Sequence, residues 1–386
     1  MENNKVIEKK RPHFLEAISM LVVLLALVVY SVKLDISIIP AMMIAIVWSM
    51  AIAYRCGYRW NDIMGPVYER EKGVVEVFLI ILLIGAFVAS MIFSGTIPTI
   101  IYYLIKIINP TLMVVLSFLI TAIVSVIIGT SWGTAGTVGV IMLAIAQSMG
   151  VPLPLVAGAV ASGSHVGQLC SPMADTSNVA AGFADVDTMT MIKRMAYYTV
   201  PTIILAIVAY TVLGFANGSS AADLSQADVI RQEISSVFNT NVLVILPMVF
   251  VFALTFMKKP ILMTLGLTSL IGIVFGMIFN GFSFGAGLDA IYNGFTLAGT
   301  AGIAEDGYSS IFLNLCNRGG AMSMINAALI VIVASMYGTV LMEIKALDVI
   351  ADTIFAKVKS RVLLNASAVV LAGLIVGLTS SSSWQV

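Results

Sequence analysis

The stretch from Ile107 to Ala174 reads IINPTLMVVLSFLITAIVSVIIGTSWGTAGTVGVIMLAIAQSMGVPLPLVAGAVASGSHVGQLCSPMA, 68 residues without one Asp, Glu, Lys or Arg. A helical bilayer crossing takes about 20 apolar residues, so the run is longer than three crossings. It offers nothing with which to build a water-facing surface. The rest of the chain agrees. Its 386 residues hold 20 Lys and Arg and 20 Asp and Glu, 10% in all. Soluble domains carry about 25%. Hydrophobic residues make up 60%, and the mean hydropathy is +1.04. Backbone amides in lipid need partners within their own segment, so such runs are helical. These features predict an all-α polytopic membrane protein.

Net charge is zero, which argues against nucleic acid as a partner. Cys56, Cys170 and Cys316 are far apart and read as free, small apolar residues. The two histidines, His13 and His165, form no cluster with cysteines or carboxylates, so no structural metal or cofactor is expected. Lys5, Lys9, Lys10 and Arg11 precede the apolar run Phe14 to Val32. No small-x-small cleavage site follows it, so it reads as a retained first helix rather than a signal peptide.

Further uncharged runs cover 36–54, 77–105, 195–222, 234–257, 260–288, 319–342 and 362–386. Pro and Gly divide the longer ones, giving about 10–11 membrane segments. Gly95-Thr96-Ile97-Pro98 predicts a break followed by a short piece, and Asn109-Pro110 predicts a restart into a full span near 111–129. Positive residues set the orientation. The N-terminal cluster, Arg55 to Lys72, Lys193-Arg194 and Lys258-Lys259 fit the cytoplasm, and the acidic 216–241 stretch fits the outside. The expected organisation is a cytoplasmic tail (1–13), then two N-terminal helices with a cytoplasmic loop (14–72). A first repeat (73–215), an extracytoplasmic loop (216–241) and a second repeat (242–386) follow.

The repeat is read from the order of elements. Residues 77–132 give a long apolar helix with Ala89-Ser90-Met91, a Gly-Thr break, a short helix and a long helix ending in Ser131-Trp132. Residues 322–384 give a long helix with Ala334-Ser335-Met336, then Gly338-Thr339, a short helix near 346–356, and a long helix ending in Ser383-Trp384. Repeats with broken helices meeting near the midplane mark secondary transporters. The first copy continues about 45 residues past its Trp, and the second stops two residues after it. The expectation is therefore a C-terminally truncated chain that does not transport by itself.

The polar residues inside these runs are the candidate site. Ala161 to Asn178 holds His165, Gln168, Ser171, Asp175, Thr176 and Asn178 among Gly163, Gly167 and Pro172, which are expected to prevent one smooth helix. Unwound carbonyls, hydroxyls and one carboxylate suit a dehydrated small cation, and Asp175 can also take up a proton. A carboxylate at a helix centre in the bilayer costs about 2.5–3.5 kcal/mol, which a bound cation or proton offsets. The plainer alternatives are Asp175 as a helix cap and His165 as a hydrogen-bonded packing residue. A second group is Thr130, Ser131, Trp132 and Thr134 with Thr137, where hydroxyls beside glycine suit helix packing as well as cation coordination. A third is Asn317-Arg318-Gly319-Gly320, where Arg318 either caps a broken helix, neutralises a substrate carboxylate or anchors an interface. Glu305-Asp306 reads as a loop. The 22 methionines read as packing. There is no H-E-x-x-H, Walker A loop or nucleophile elbow, so a transporter rather than an enzyme is expected.

At these motifs the sequence resembles the NhaC family of Na+/H+ antiporters, which includes malate/lactate-type exchangers. The resemblance rests on Gly95-Thr96-Ile97-Pro98 with Ile101-Tyr102-Tyr103, on Gly129 to Thr137, and on Ser171-Pro172-x-x-Asp175-Thr176-x-Asn178. Tyr198-Thr199-Val200-Pro201 and Asn317-Arg318-Gly319-Gly320 with Ser323-Met324 extend it. It implies a proton- or sodium-coupled exchanger with discontinuous helices in a bacterial inner membrane. Its partners would be a small cation or organic ion, protons and the lipid bilayer, and a homodimer is compatible with it. Similar members carry an acidic and a basic residue where this chain has Gln168 and Leu169, which leaves Asp175 as the motif's only carboxylate.

Overall fold

The computed structural model describes residues 9–104, 110–129, 131–171, 174, 177, 181, 186–218, 224–257 and 259–355. In chain order the helices are α1 (Phe14–Lys33), α2 (Ile39–Arg55), α3 (Trp60–Phe93), α4 (Thr96–Leu104), α5 (Met113–Ile128), α6 (Ser131–Thr134), α7 (Val140–Ser148) and α8 (Leu153–Cys170). They continue with α9 (Thr188–Gly218), α10 (Leu224–Val237), α11 (Leu246–Phe256), α12 (Ile261–Asn280), α13 (Phe284–Asn293) and α14 (Leu297–Ala301). The last are α15 (Ser310–Cys316), α16 (Ile325–Glu343) and α17 (Ala346–Phe355). The only strand-like feature among the described residues is one isolated bridge between Phe295 and Arg318. Among the described residues, five helices, centred on α1, α3, α9, α12 and α16, are long and apolar enough to cross a membrane, or six if the pair α10 and α11, bent by 89°, counts as one. The protein is all-α and polytopic, as the composition predicts. Large apolar side chains stand open on the outside: Val47 is 69% exposed, Leu205 72% and Ile278 69%. Lipid, not water, is the solvent in which those faces are stable.

The chain forms two compact units, Met1–Leu79 with Asn326–Val386, and Ile80–Ile325. In the first, α1 and α2 pack with the start of α3, most of α16 and α17 around Met20, Ala45, Ile63, Tyr337 and Leu341. The Tyr337 hydroxyl donates to the Met20 carbonyl at 3.1 Å, which satisfies it away from water. At the charged end the Glu16 side chain accepts from the His13 amide at 2.8 Å and fixes the start of α1. Arg55 pairs with Glu16 at 2.5 Å and Lys9 with Asp62 at 3.0 Å.

The second unit is built on close helix contacts. Ser117, Thr121 and Ser125 lie fully buried at four-residue spacing on α5. Gly163 and Gly167 on α8 face them. A Cβ on Gly163 would stand 2.5 Å from the Phe118 carbonyl oxygen, and one on Gly167 would stand 2.1 Å from that of Ser125. Small residues four apart let two backbones touch, which replaces the hydrophobic drive that lipid cannot supply. Ser125 completes the contact by donating to the Ser164 carbonyl and accepting from the Gly167 amide. This corrects the sequence expectation: α8 runs smoothly through both glycines and ends at Cys170, just before Pro172. The glycines serve packing.

The breaks fall near the expected places. α3 ends at Phe93, Gly95 takes φ +79, and α4 begins at Thr96. The unpaired groups at these buried helix ends find partners. Asn280 donates to the Phe93 carbonyl at 2.9 Å, and the Thr96 hydroxyl donates to that of Val244 at 2.7 Å. In the second half, α16 continues through Gly338-Thr339, and the break comes later, at Lys345 with φ +57, before α17. Both breaks lead into short helices, of nine and ten residues. The segment after Gly129 is wound first as α6 and then as a π-helix over Ala135–Gly139. The 216–241 stretch contains α10, and the expected long helix after 362 lies outside the described residues.

Candidate functional site

Two of the non-helical stretches in the second unit, one after α13 and one after α15, meet. α13 ends at Asn293, and Gly294 takes φ +109. Phe295 then exchanges both backbone hydrogen bonds with Arg318, each at 3.1 Å. Gly319 and Gly320 take φ +81 and +85 before the chain turns into α16. Only glycine fits here. A Cβ on Gly319 would stand 2.5 Å from the Ala89 amide nitrogen on α3, and the Gly320 amide donates to the Gly85 carbonyl at 2.7 Å. Non-helical backbone in a membrane protein is tolerated where it is buried or lines a cavity.

Here it does line one, of about 520 Å³. Asn293, Thr296, Asn317, Arg318 and Ser323 supply the polar side; Ile84, Val88 and Leu143 supply apolar wall. Most of the polar groups are already engaged. Asn293 donates to Asp289 at 2.7 Å and Ser323 to the Gly320 carbonyl at 2.7 Å. The Thr296 hydroxyl caps α14 by accepting from the Gly299 amide at 3.1 Å. Asn317 accepts from the Leu297 amide and donates to Glu305, both at 2.9 Å. Arg318 differs, because its guanidinium forms no ion pair among the described residues. A planar fork of donors on a cavity wall is suited to a carboxylate.

Of the sequence-predicted residues, the cavity gathers Asn317 and Arg318. Its lining includes none of Ser131, Thr134, His165, Gln168 and Ser171. Thr130, Asp175, Thr176 and Asn178, and the Trp132 side chain, lie outside the described residues. Ser171 is fully buried at the end of α8, with its amide on the Gly167 carbonyl at 2.9 Å. The Ser177 hydroxyl reaches back to the Gln168 carbonyl at 2.7 Å, satisfying one of the acceptors left over at the helix end. Ser131 and Thr134 are buried on α6. His165 is exposed and bonds within its own helix, to the Ala161 carbonyl at 2.8 Å.

An all-α membrane protein with unwound segments closing on a polar-walled cavity has the architecture of a secondary transporter. The chain belongs to the Na+/H+ antiporter family, whose model matches residues 13–177 and 165–385. It is 32% identical over 351 residues to the malate-2H(+)/Na(+)-lactate antiporter of Bacillus subtilis (strain 168), covering 90% of this chain and 73% of that protein. It is 29% identical to the Na(+)/H(+) antiporter NhaC of Alkalihalophilus pseudofirmus, covering 89% and 72%. The arginine/ornithine antiporter ArcD of Halobacterium salinarum is also 29% identical, covering 89% and 70%. No solved structure matches the chain significantly.

Proposed function

We propose that the protein exchanges Na+ for protons across the membrane, with Asp175 binding cation and proton in turn. The observation that carries this is the unwinding of α8 at the fully buried Ser171, four residues before the first acid to follow 68 uncharged positions. Ser171, Thr176, Asn178, Thr130 and Ser131 supply oxygens to the dehydrated ion. Gln168, His165, Trp132 and Thr134 are the further binding candidates on this reading. The ion must exchange its hydration for these ligands, and a carboxylate with hydroxyls and free carbonyls is the set a hard cation takes. On this reading the N-terminus lies on the cytoplasmic side of a bacterial inner membrane, and a homodimer is compatible with it. In proteoliposomes of the full-length protein, uptake of labelled Na+ driven by a pH gradient is lost in Asp175→Asn; retained uptake in that variant contradicts the assignment.

A second reading has its own support, the cavity around Arg318. Malate, lactate, arginine and ornithine, the compounds named for two of the relatives, all carry a carboxylate. On this reading a small 2-hydroxy or 2-amino acid is one of the exchanged species, and Arg318 binds its carboxylate. Counterflow of labelled L-malate or L-lactate is then lost in Arg318→Ala. Counterflow at the wild-type rate in that variant removes this reading and leaves the cation exchange standing.

A further inference from the structure

The helix that delivers Arg318 is held at both ends by carboxylates. α15 is seven residues long. A helix that short has little stability alone, so its place is set by its contacts: Phe312, Leu315 and Cys316 are buried in the core, and side chains grip both ends. At its start Ser309 gives two hydrogen bonds to one acid. Its amide donates to Glu233 Oε1 at 2.6 Å and its hydroxyl to Glu233 Oε2 at 2.7 Å. At its finish Asn317 donates to Glu305 at 2.9 Å. Arg318 is the next residue.

We propose that Glu233 is a positioning residue for Arg318, fixing α15 and through it the place of the guanidinium on the cavity wall. The inference rests on the reading of Arg318 as a carboxylate-binding group. Glu233 is itself firmly seated. It lies on α10, whose Ile230 and Ile234, with Phe238 just beyond, are buried in the core. On the same helix the Arg231 guanidinium lies 4.1 Å over the ring of Tyr102, which belongs to α4 beyond the first break. α10 therefore ties α4, the short helix after the first break, to α15. Both Glu233 oxygens are used, each by a different donor of the same residue, so the carboxylate sets orientation as well as distance.

The chemistry selects the variants. Glutamine at 233 keeps one acceptor and turns an NH2 group toward the second donor, while aspartate keeps both acceptors on a shorter arm. In the reconstituted protein, Glu233→Gln is expected to raise the KM for labelled L-malate by about tenfold at nearly unchanged maximal rate, as loss of a charge-assisted bond implies. Ser309→Ala shifts it in the same direction by less, and Glu233→Asp recovers part of the loss. Amide hydrogen exchange across 310–320 is expected to quicken in Glu233→Gln, with other segments unchanged. An unchanged KM in Glu233→Gln alongside a raised KM in Arg318→Lys overturns the positioning role alone. If neither variant moves KM, or if L-malate is not carried, the carboxylate reading of Arg318 fails and hydrogen exchange decides. Unchanged exchange across 310–320 overturns the clamp whatever the transport result.

Discussion

Arg318 lines the cavity as a cation with no carboxylate paired to it among the described residues. Lysine at this position keeps the charge and loses the planar fork, and the two are not equivalent at a bidentate site. Arg318→Lys is therefore expected to raise the KM for a carboxylate substrate by about tenfold, the worth of about 1.4 kcal/mol, as read from counterflow against concentration. An unchanged KM would mean that a point charge is all the site uses. The sequence points to Asn317 and Arg318 because two glycines follow them at the edge of an uncharged run. It does not point to Thr296 or Ser323. They meet Arg318 through the single Phe295–Arg318 bridge and the turn at Gly320, and one bridge leaves no periodicity to read. Asn293-Gly294, a turn dipeptide inside an apolar stretch, was the one local signal.

Among the elements, the α5–α8 pair carries the second unit. Gly158 and Gly167 lie on the same helix in different surroundings. A Cβ at Gly158 meets nothing within 4 Å, while one at Gly167 meets backbone at 2.1 Å. Gly158→Ala is thus expected to leave the protein as stable or add up to about 1 kcal/mol through helix propensity. Gly167→Leu must push α5 and α8 apart, at a cost of about 1–3 kcal/mol or more. Thermal unfolding in one detergent compares them. Equal melting temperatures would refute the close contact. From sequence Gly163 and Gly167 read as breakers, because glycine both loosens a helix and lets another backbone approach. Spacing of four residues, Gly163 to Gly167, was the clue to the second role. Proline is the less ambiguous residue, and α8 does end before Pro172. The first break was legible to within two residues for the same reason, since Gly95 must take a positive φ. In the second half the break uses Lys345, a residue with no such signature, and Gly338-Thr339 stays helical.

At the scale of the whole molecule, the charge-free run settles the fold class before any motif is read, because in lipid a long continuous apolar run satisfies its backbone as helix, whereas barrel strands alternate polar and apolar over about ten residues. Function depends on coupling. An antiporter must not let one ion pass unless another returns, so its sites take up their ligands in alternation rather than forming an open pore. Family membership, the unwound end of α8 and the Arg318 cavity all bear on that one property. The most direct test imposes a Na+ gradient on sealed proteoliposomes that hold a pH-sensitive dye, with and without trapped L-malate. The prediction is that Na+ entry drives protons or the carboxylate outward and stops when neither is available inside. Steady downhill Na+ flux with no counter-movement of either species would contradict exchange and leave a passive pathway in its place.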